Sequence, residues 1–84
     1  HPALRDRAKQ AVDAWRSLFQ RIIQKGIARD ELLPTVNADE VSTILISTLE
    51  GAVMLSKLYG DDTYIAQALL HLREYIQHQL AAEG

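Results

Sequence analysis

The 84-residue sequence contains no cysteine. Disulfides, thiolate–metal sites and a cysteine nucleophile are therefore excluded. It has only two prolines and four glycines, so few residues interrupt a long helix. No run reaches the ~18 consecutive apolar residues of a membrane span. There is no charged-then-apolar leader and no initiator methionine, so the expectation is a cytoplasmic chain that does not enter a membrane. No internal repeat, low-complexity tract or linker divides it, which makes residues 1–84 one domain. A chain this short hides only ~60–65% of the surface its unfolded form exposes. Without a disulfide or metal to brace it, it needs further chain or a second subunit.

Hydrophobic residues make up 48% of the chain and charged residues 24%, a globular balance. The net charge of −2 is unevenly spread. Through Arg29, seven cations (Arg5, Arg7, Lys9, Arg16, Arg21, Lys25 and Arg29) face two carboxylates, for +5. From Asp30 onward, Lys57 and Arg73 face nine carboxylates, for −7. That acidic two-thirds is a poor surface for a polyanion.

The hydrophobic spacing predicts an all-α fold of three helices. Pro2 suits a first helical turn. From there Leu4, Ala8, Ala11, Val12, Trp15, Leu18, Phe19, Ile22 and Ile23 recur at three- and four-residue intervals. Gly26 is the expected left-handed stop, which places the first helix at 2–25. The segment Ala28–Pro34 is expected to hold at most one helical turn. Asn37 with Glu40 three positions on forms a capping box, so a second helix is expected over 38–59, stopping at Gly60. Asp61 and Asp62 are expected to cap a third, over 63–82.

The second helix is apolar around most of its circumference, with Asp39, Glu40, Glu50 and Lys57 confined to about 100° of the wheel. Such a helix must be covered on several sides, and two neighbours in an 84-residue chain hardly suffice. Thr48, Gly51, Ala52 and Ser56 suggest close backbone approach. A mid-helix glycine costs ~1 kcal/mol against alanine, which such packing offsets. A homodimer follows, with Leu45, Leu49, Ala52, Val53 and Ser56 as interface candidates. The third helix adds a semi-polar strip of Tyr64, Ala68, His71, Tyr75 and His78, of a composition suited to contact surfaces.

Catalytic signals are weak. His71, Glu74 and His78 share a helix side, but their spacing differs from the i, i+4 histidine pair of zinc helices. Glu50 lies among solvated charges. No glycine-rich phosphate loop, nucleophile triad or cofactor motif is present. A small helical enzyme of the chorismate-mutase type is one alternative, since such a site grips carboxylates with inward-facing arginines. The cations here border the first helix's apolar stripe instead, and the third helix has only Arg73. A purely structural dimerisation bundle is the other. DNA reading by this chain is excluded on charge, because the junction before the last helix is acidic.

The run Trp15, Leu18, Phe19, Ile22, Ile23, Gly26, Ile27, Ala28, Arg29, Asp30, Glu31 and Leu32 resembles the C-terminal regulatory domain of the tetracycline-repressor (TetR) family. Asp30 stands where that family commonly has a second glycine. Val36–Val41 resembles the capped start of the family's penultimate helix, Ile46–Leu55 its Leu-Glu-Gly-Ala centre, and Leu69, Leu72, Tyr75 and Ile76 its final helix. The resemblance implies a transcriptional regulator, usually a repressor, whose last two helices build a four-helix-bundle dimer. It also implies a small-molecule effector of unstated identity, and DNA contact only through an N-terminal helix-turn-helix outside these residues. The positions matching the family's effector pocket are Trp15, Phe19 and Ile22, with Met54 or Leu55 opposite. Neither a cofactor nor a membrane is implied.

Overall fold

The computed structural model describes residues 2–83. It contains α1 (Pro2–Ala28), α2 (Ala38–Tyr59) and α3 (Thr63–Tyr75), with α3 continuing as one π-helical turn, Ile76–Leu80. The fold is all-α, as the spacing predicts.

Two boundaries differ from the expected ones. α1 does not stop at Lys25: Gly26 lies inside the helix and is buried. The left-handed residue is Asp30, at φ 61°. Its N–H donates to Ile27 O at 3.1 Å, and the Glu31 N–H donates to Gly26 O at 2.9 Å. These are the paired bonds that close a helix around a left-handed C-terminal residue. Gly26 is needed for another reason. A Cβ there would stand 2.8 Å from Leu32 Cδ1 and 2.9 Å from Leu32 Cγ, because Leu32 folds back on the last turn of α1.

Past the end of α1 at Ala28 the segment to Pro34 holds no further helical turn, within the expected limit of one. Having been turned outward at Asp30, the chain pairs in extended form with the segment after α3. Leu33 N–H donates to Leu80 O at 2.9 Å, and Ala82 N–H to Glu31 O at 2.9 Å, about a bridge between Leu32 and Ala81. This pairing also ends the last helix at Leu80 rather than Ala82, since Ala81 is extended (φ −68°, ψ 136°).

The caps of α2 follow the sequence. Asn37 Oδ1 accepts from Glu40 N–H at 3.0 Å, which forms that half of the box. Gly60 stops the helix in the left-handed region at φ 60°. At α3 the side chain that caps is Asp61, whose Oδ1 accepts from Thr63 N–H at 2.9 Å. Asp62 holds the cap position without a side-chain bond. The Thr63 bond holds the Asp61 carboxyl below its usual range, so its stabilisation is lost as pH falls through that range.

The helices lie side by side, with α2 packed on α1 along one flank and on α3 along the other. The Cα envelope measures 45 × 29 × 13 Å. Among the described residues the backbones of α1 and α3 do not approach each other closely, so the three helices form a single layer about α2. A compact chain of this length has a radius of gyration of about 12 Å, against 14.6 Å here. A compact monomer of this mass exposes about 5,000 Å², against 6442 Å². The core is confined to the seams, where Ile23, Val41, Leu45, Leu72 and Leu80 form one cluster. Leu18, Ile22, Ile44, Met54, Leu58, Leu69 and Leu70 stay exposed.

Asp30 adopts a backbone conformation that disfavours side chains with a Cβ, by ~1–2 kcal/mol for a typical residue and less for Asp. Asp30→Gly is therefore expected to raise the melting temperature, by up to ~1 kcal/mol of stability, and Asp30→Val to lower it by ~1–2 kcal/mol. Paired thermal melts decide it, and a destabilised glycine variant contradicts the assignment.

Candidate functional site

The layer is bent along α2, and its concave side forms an apolar trough. α1 contributes Phe19 and Ile22, α2 contributes Leu45 and Leu49, and α3 contributes Leu69, Leu72 and Ile76. Helical spacing accounts for this assembly: i, i+3 or i, i+4 pairs on each helix present two side chains to the same side. The wide part holds about 540 Å³ and carries Arg73 and Gln77 on its α3 rim. A narrower, more enclosed hollow of about 220 Å³ shares Phe19, Ile22, Leu45 and Ile76 with it and ends against Gly26, Glu31 and Leu32. The π-helical turn falls at this end, where it supplies both Ile76 and the buried Leu80.

A polar clamp holds α1 to the first turns of α2. Arg16 Nη1 donates to Asp39 Oδ1 at 2.9 Å, to Asp39 O at 3.2 Å and to Thr43 Oγ1 at 2.8 Å. Gln20 Nε2 donates to the same Asp39 Oδ1 at 3.1 Å. Asp39 also sits in the first turn of α2, where the helix dipole favours a negative charge. Next to the clamp, Trp15 sets its ring edge-on to Phe19 at 6.1 Å. Ser42 is fully buried, and its Oγ has no partner among the described residues.

The candidate effector residues separate in the structure. Phe19 and Ile22 line both hollows, whereas Trp15, Met54 and Leu55 line neither. Met54 lies on the exposed side of α2, and Leu55 is half-buried. The interface candidates separate as well. Leu45, Ala52 and Ala68 are buried within the protomer's own seams, while Leu49, Val53 and Ser56 are half-buried beside them. On α3, Tyr64 and Tyr75 are half-buried, and His71 and His78 are exposed. Tyr64 meets Tyr59 across the α2–α3 turn, with ring centroids 5.8 Å apart. The close approach expected at Gly51 is not made within the protomer, since a Cβ there meets nothing within 4 Å.

Sequence reasoning missed the trough role of Leu45, Leu49, Leu69 and Ile76. Their apolar spacing was legible, but a wheel does not say which side of a helix turns toward its second neighbour.

The outer side of α2 carries Ile44, Gly51, Leu55 and Leu58, spaced as one stripe, with Ile44 and Leu58 exposed. By length and hydropathy α2 is also apolar enough to cross a bilayer. Here it is the middle helix of the layer, flanked on two sides by α1 and α3.

Comparison with known proteins places this geometry. The family described as tetracyclin repressor-like, C-terminal domain, matches residues 1–72. A search of curated proteins finds no match. Among solved structures, a TetR transcriptional regulator from Chloroflexus aurantiacus J-10-fl, determined at 1.80 Å, is 39% identical with a TM-score of 0.89. The alignment covers 98% of this chain and 41% of the regulator's.

The clamp gives a direct test of how α1 is held. Asp39→Ala removes the acceptor shared by Arg16 and Gln20 together with a favourable first-turn charge. It is expected to cost roughly 0.5–1.5 kcal/mol, a modest figure because the pair is partly solvated. Denaturant titrations at low and high ionic strength should show the gap between parent and variant narrowing with salt. A gap near zero at low salt contradicts the clamp.

Proposed function

Since the chain belongs to the tetracycline-repressor family of transcriptional regulators, we propose that it senses a small-molecule effector and dimerises on behalf of such a regulator, most commonly a repressor. It spans 41% of the solved regulator's length. DNA contact is therefore assigned to a helix-turn-helix segment outside these residues, and the working compartment to the cytoplasm. The domain acts by binding and assembly, not by catalysis.

The carrying observation is a layer one helix thick with an uncovered apolar stripe on α2. Its exposed surface exceeds that of a compact monomer by about 1,400 Å², more than the ~800 Å² each partner contributes to a standard interface. We assign the homodimer interface to Ile44, Gly51, Leu55 and Leu58 of α2, with Tyr64, His71 and Tyr75 of α3. Two such helix pairs make a four-helix bundle. Gly51 fits this assignment because its surroundings within the protomer are empty. The alternative of a purely structural bundle is disfavoured by the concave trough, for which a solid dimerisation module has no need.

Light scattering at micromolar concentration should report twice the 9.4 kDa protomer mass. Gly51→Leu, which meets no obstacle inside the protomer, should keep the helical circular dichroism of the parent and weaken dimerisation at least tenfold. A monomeric parent, or a variant that dimerises as the parent does, refutes the interface.

Nucleic acid gives the converse test. Phosphate binding needs several cations presented together, each adding ~0.9 to the salt slope. Of the seven cations before Asp30, Arg16 is engaged by Asp39. Fluorescence anisotropy with a labelled duplex should show no binding by this protein at physiological salt. Salt-sensitive micromolar affinity overturns the division of labour.

A further inference from the structure

We propose that the trough is a site for an anionic amphiphile: a single apolar chain bearing one negatively charged head, with the head at Arg73. This rests on the effector-sensing reading and names the ligand class. Three features of the trough carry it. Its walls, from Phe19 and Ile22 across Leu45 and Leu49 to Leu69, Leu72 and Ile76, are almost wholly hydrocarbon. Its wide part, about 540 Å³, falls within the ~300–1,000 Å³ of small-molecule sites. The two hollows adjoin, since Phe19, Ile22, Leu45 and Ile76 line both, so a chain long enough to reach from one into the other fits them better than a compact ligand.

The charges orient that chain. Of the described residues lining the wide part, Arg73 is the only charged one. Among the described residues the ion pair formed is Arg16 with Asp39, which leaves the Arg73 guanidinium without a carboxylate. A guanidinium on an apolar rim offers paired donors to a carboxylate, sulfate or phosphate head. Gln77, one helical turn on, adds an amide at the same rim. At the other end the narrow hollow closes on Gly26, Glu31 and Leu32 with an almost wholly apolar lining, where a charged group is stripped of its water. A hydrocarbon end is accepted there and a second anion disfavoured. The trough therefore selects one head, negative, at the α3 rim.

Isothermal titration with four twelve-carbon probes tests the charge logic: dodecanoate, dodecan-1-ol, dodecylammonium and dodecanedioate, each below its micellar concentration. Dodecanoate should bind at least tenfold more tightly than the other three, with the negative heat-capacity change of apolar burial. Arg73→Gln should bring dodecanoate down to the level of dodecan-1-ol and leave dodecan-1-ol unchanged, an outcome that general loosening of the fold does not produce. Ile22→Gln, at a residue already 56% exposed, should weaken dodecanoate and dodecan-1-ol alike. Equal affinity for the four probes, no binding of any, or an Arg73→Gln variant that keeps the dodecanoate preference overturns the proposal. So does loss of dimerisation in Ile22→Gln, which makes the trough an interface between copies. If the probes fail while light scattering still reports a dimer formed through the Gly51 stripe, the ligand class falls and the dimerising role stands.

Discussion

The architecture depends on one constraint: a helix that is apolar on most sides can be satisfied by its neighbours only where they touch it. α2 has two neighbours, and they take two flanks. Val41, Leu45 and Ala52 are sealed in those seams, as are Ser42 and Ile46, and the rest of the circumference is left over. A layer whose outer helices do not approach each other closely has no interior apart from its seams. Large apolar residues that miss a seam face the trough, the outer stripe or open solvent, as Leu4, Leu18 and Leu70 do. The two functional surfaces are thus both consequences of the same shortage of neighbours.

What keeps so thin a layer in shape lies at its corners. Asp30 turns the chain out of α1, Leu32 folds back over Gly26, and the segments on either side of the Leu32–Ala81 bridge exchange backbone hydrogen bonds. The loop between α1 and α2 is thereby tied to the end of α3, closing the enclosed end of the trough. The Arg16–Asp39–Gln20 clamp fixes α1 to the first turns of α2. Each of these pieces is small in energy, because surface pairs and single backbone bonds contribute ~1 kcal/mol or less. Their value is geometric: they set the angle at which α1 and α3 flank α2.

Periodicity and caps made the helices readable. Asn37, Gly60 and Asp61 act where the spacing places them, since each satisfies orphan groups of its own helix end by local chemistry. The misread boundaries share a cause. Gly26 carries the usual mark of a stop, yet its role is to admit Leu32, a contact six residues away that no local rule contains. Ala81 is extended because Glu31 and Leu33 bond to its neighbours, a pairing across some fifty residues. The surfaces were legible in kind but not in direction. Apolar stripes on α1 and α3 identify Phe19, Ile22, Leu69 and Ile76 as facing something, and only the crossing of three helices shows that they face one another. Gly51 was readable as exceptional, while the emptiness around it was not.

α2 belongs to both surfaces at once. Leu45 and Leu49 form the floor of the trough, while Ile44, Gly51, Leu55 and Leu58 lie on the outer side of the same 22-residue rod. A hydrogen-bonded helix rotates or shifts as a unit, so a displacement of the floor carries the outer stripe with it. The seams restrict that displacement to discrete repackings, because close-packed side chains do not deform continuously. Coupling between two such surfaces is reciprocal: whatever factor an occupant of the trough imposes on dimer affinity, dimerisation imposes on the occupant. A second subunit on the outer stripe, as proposed, would stiffen the helix that floors the trough. In a chain with so little interior, the proposed partner would take the place of the missing core.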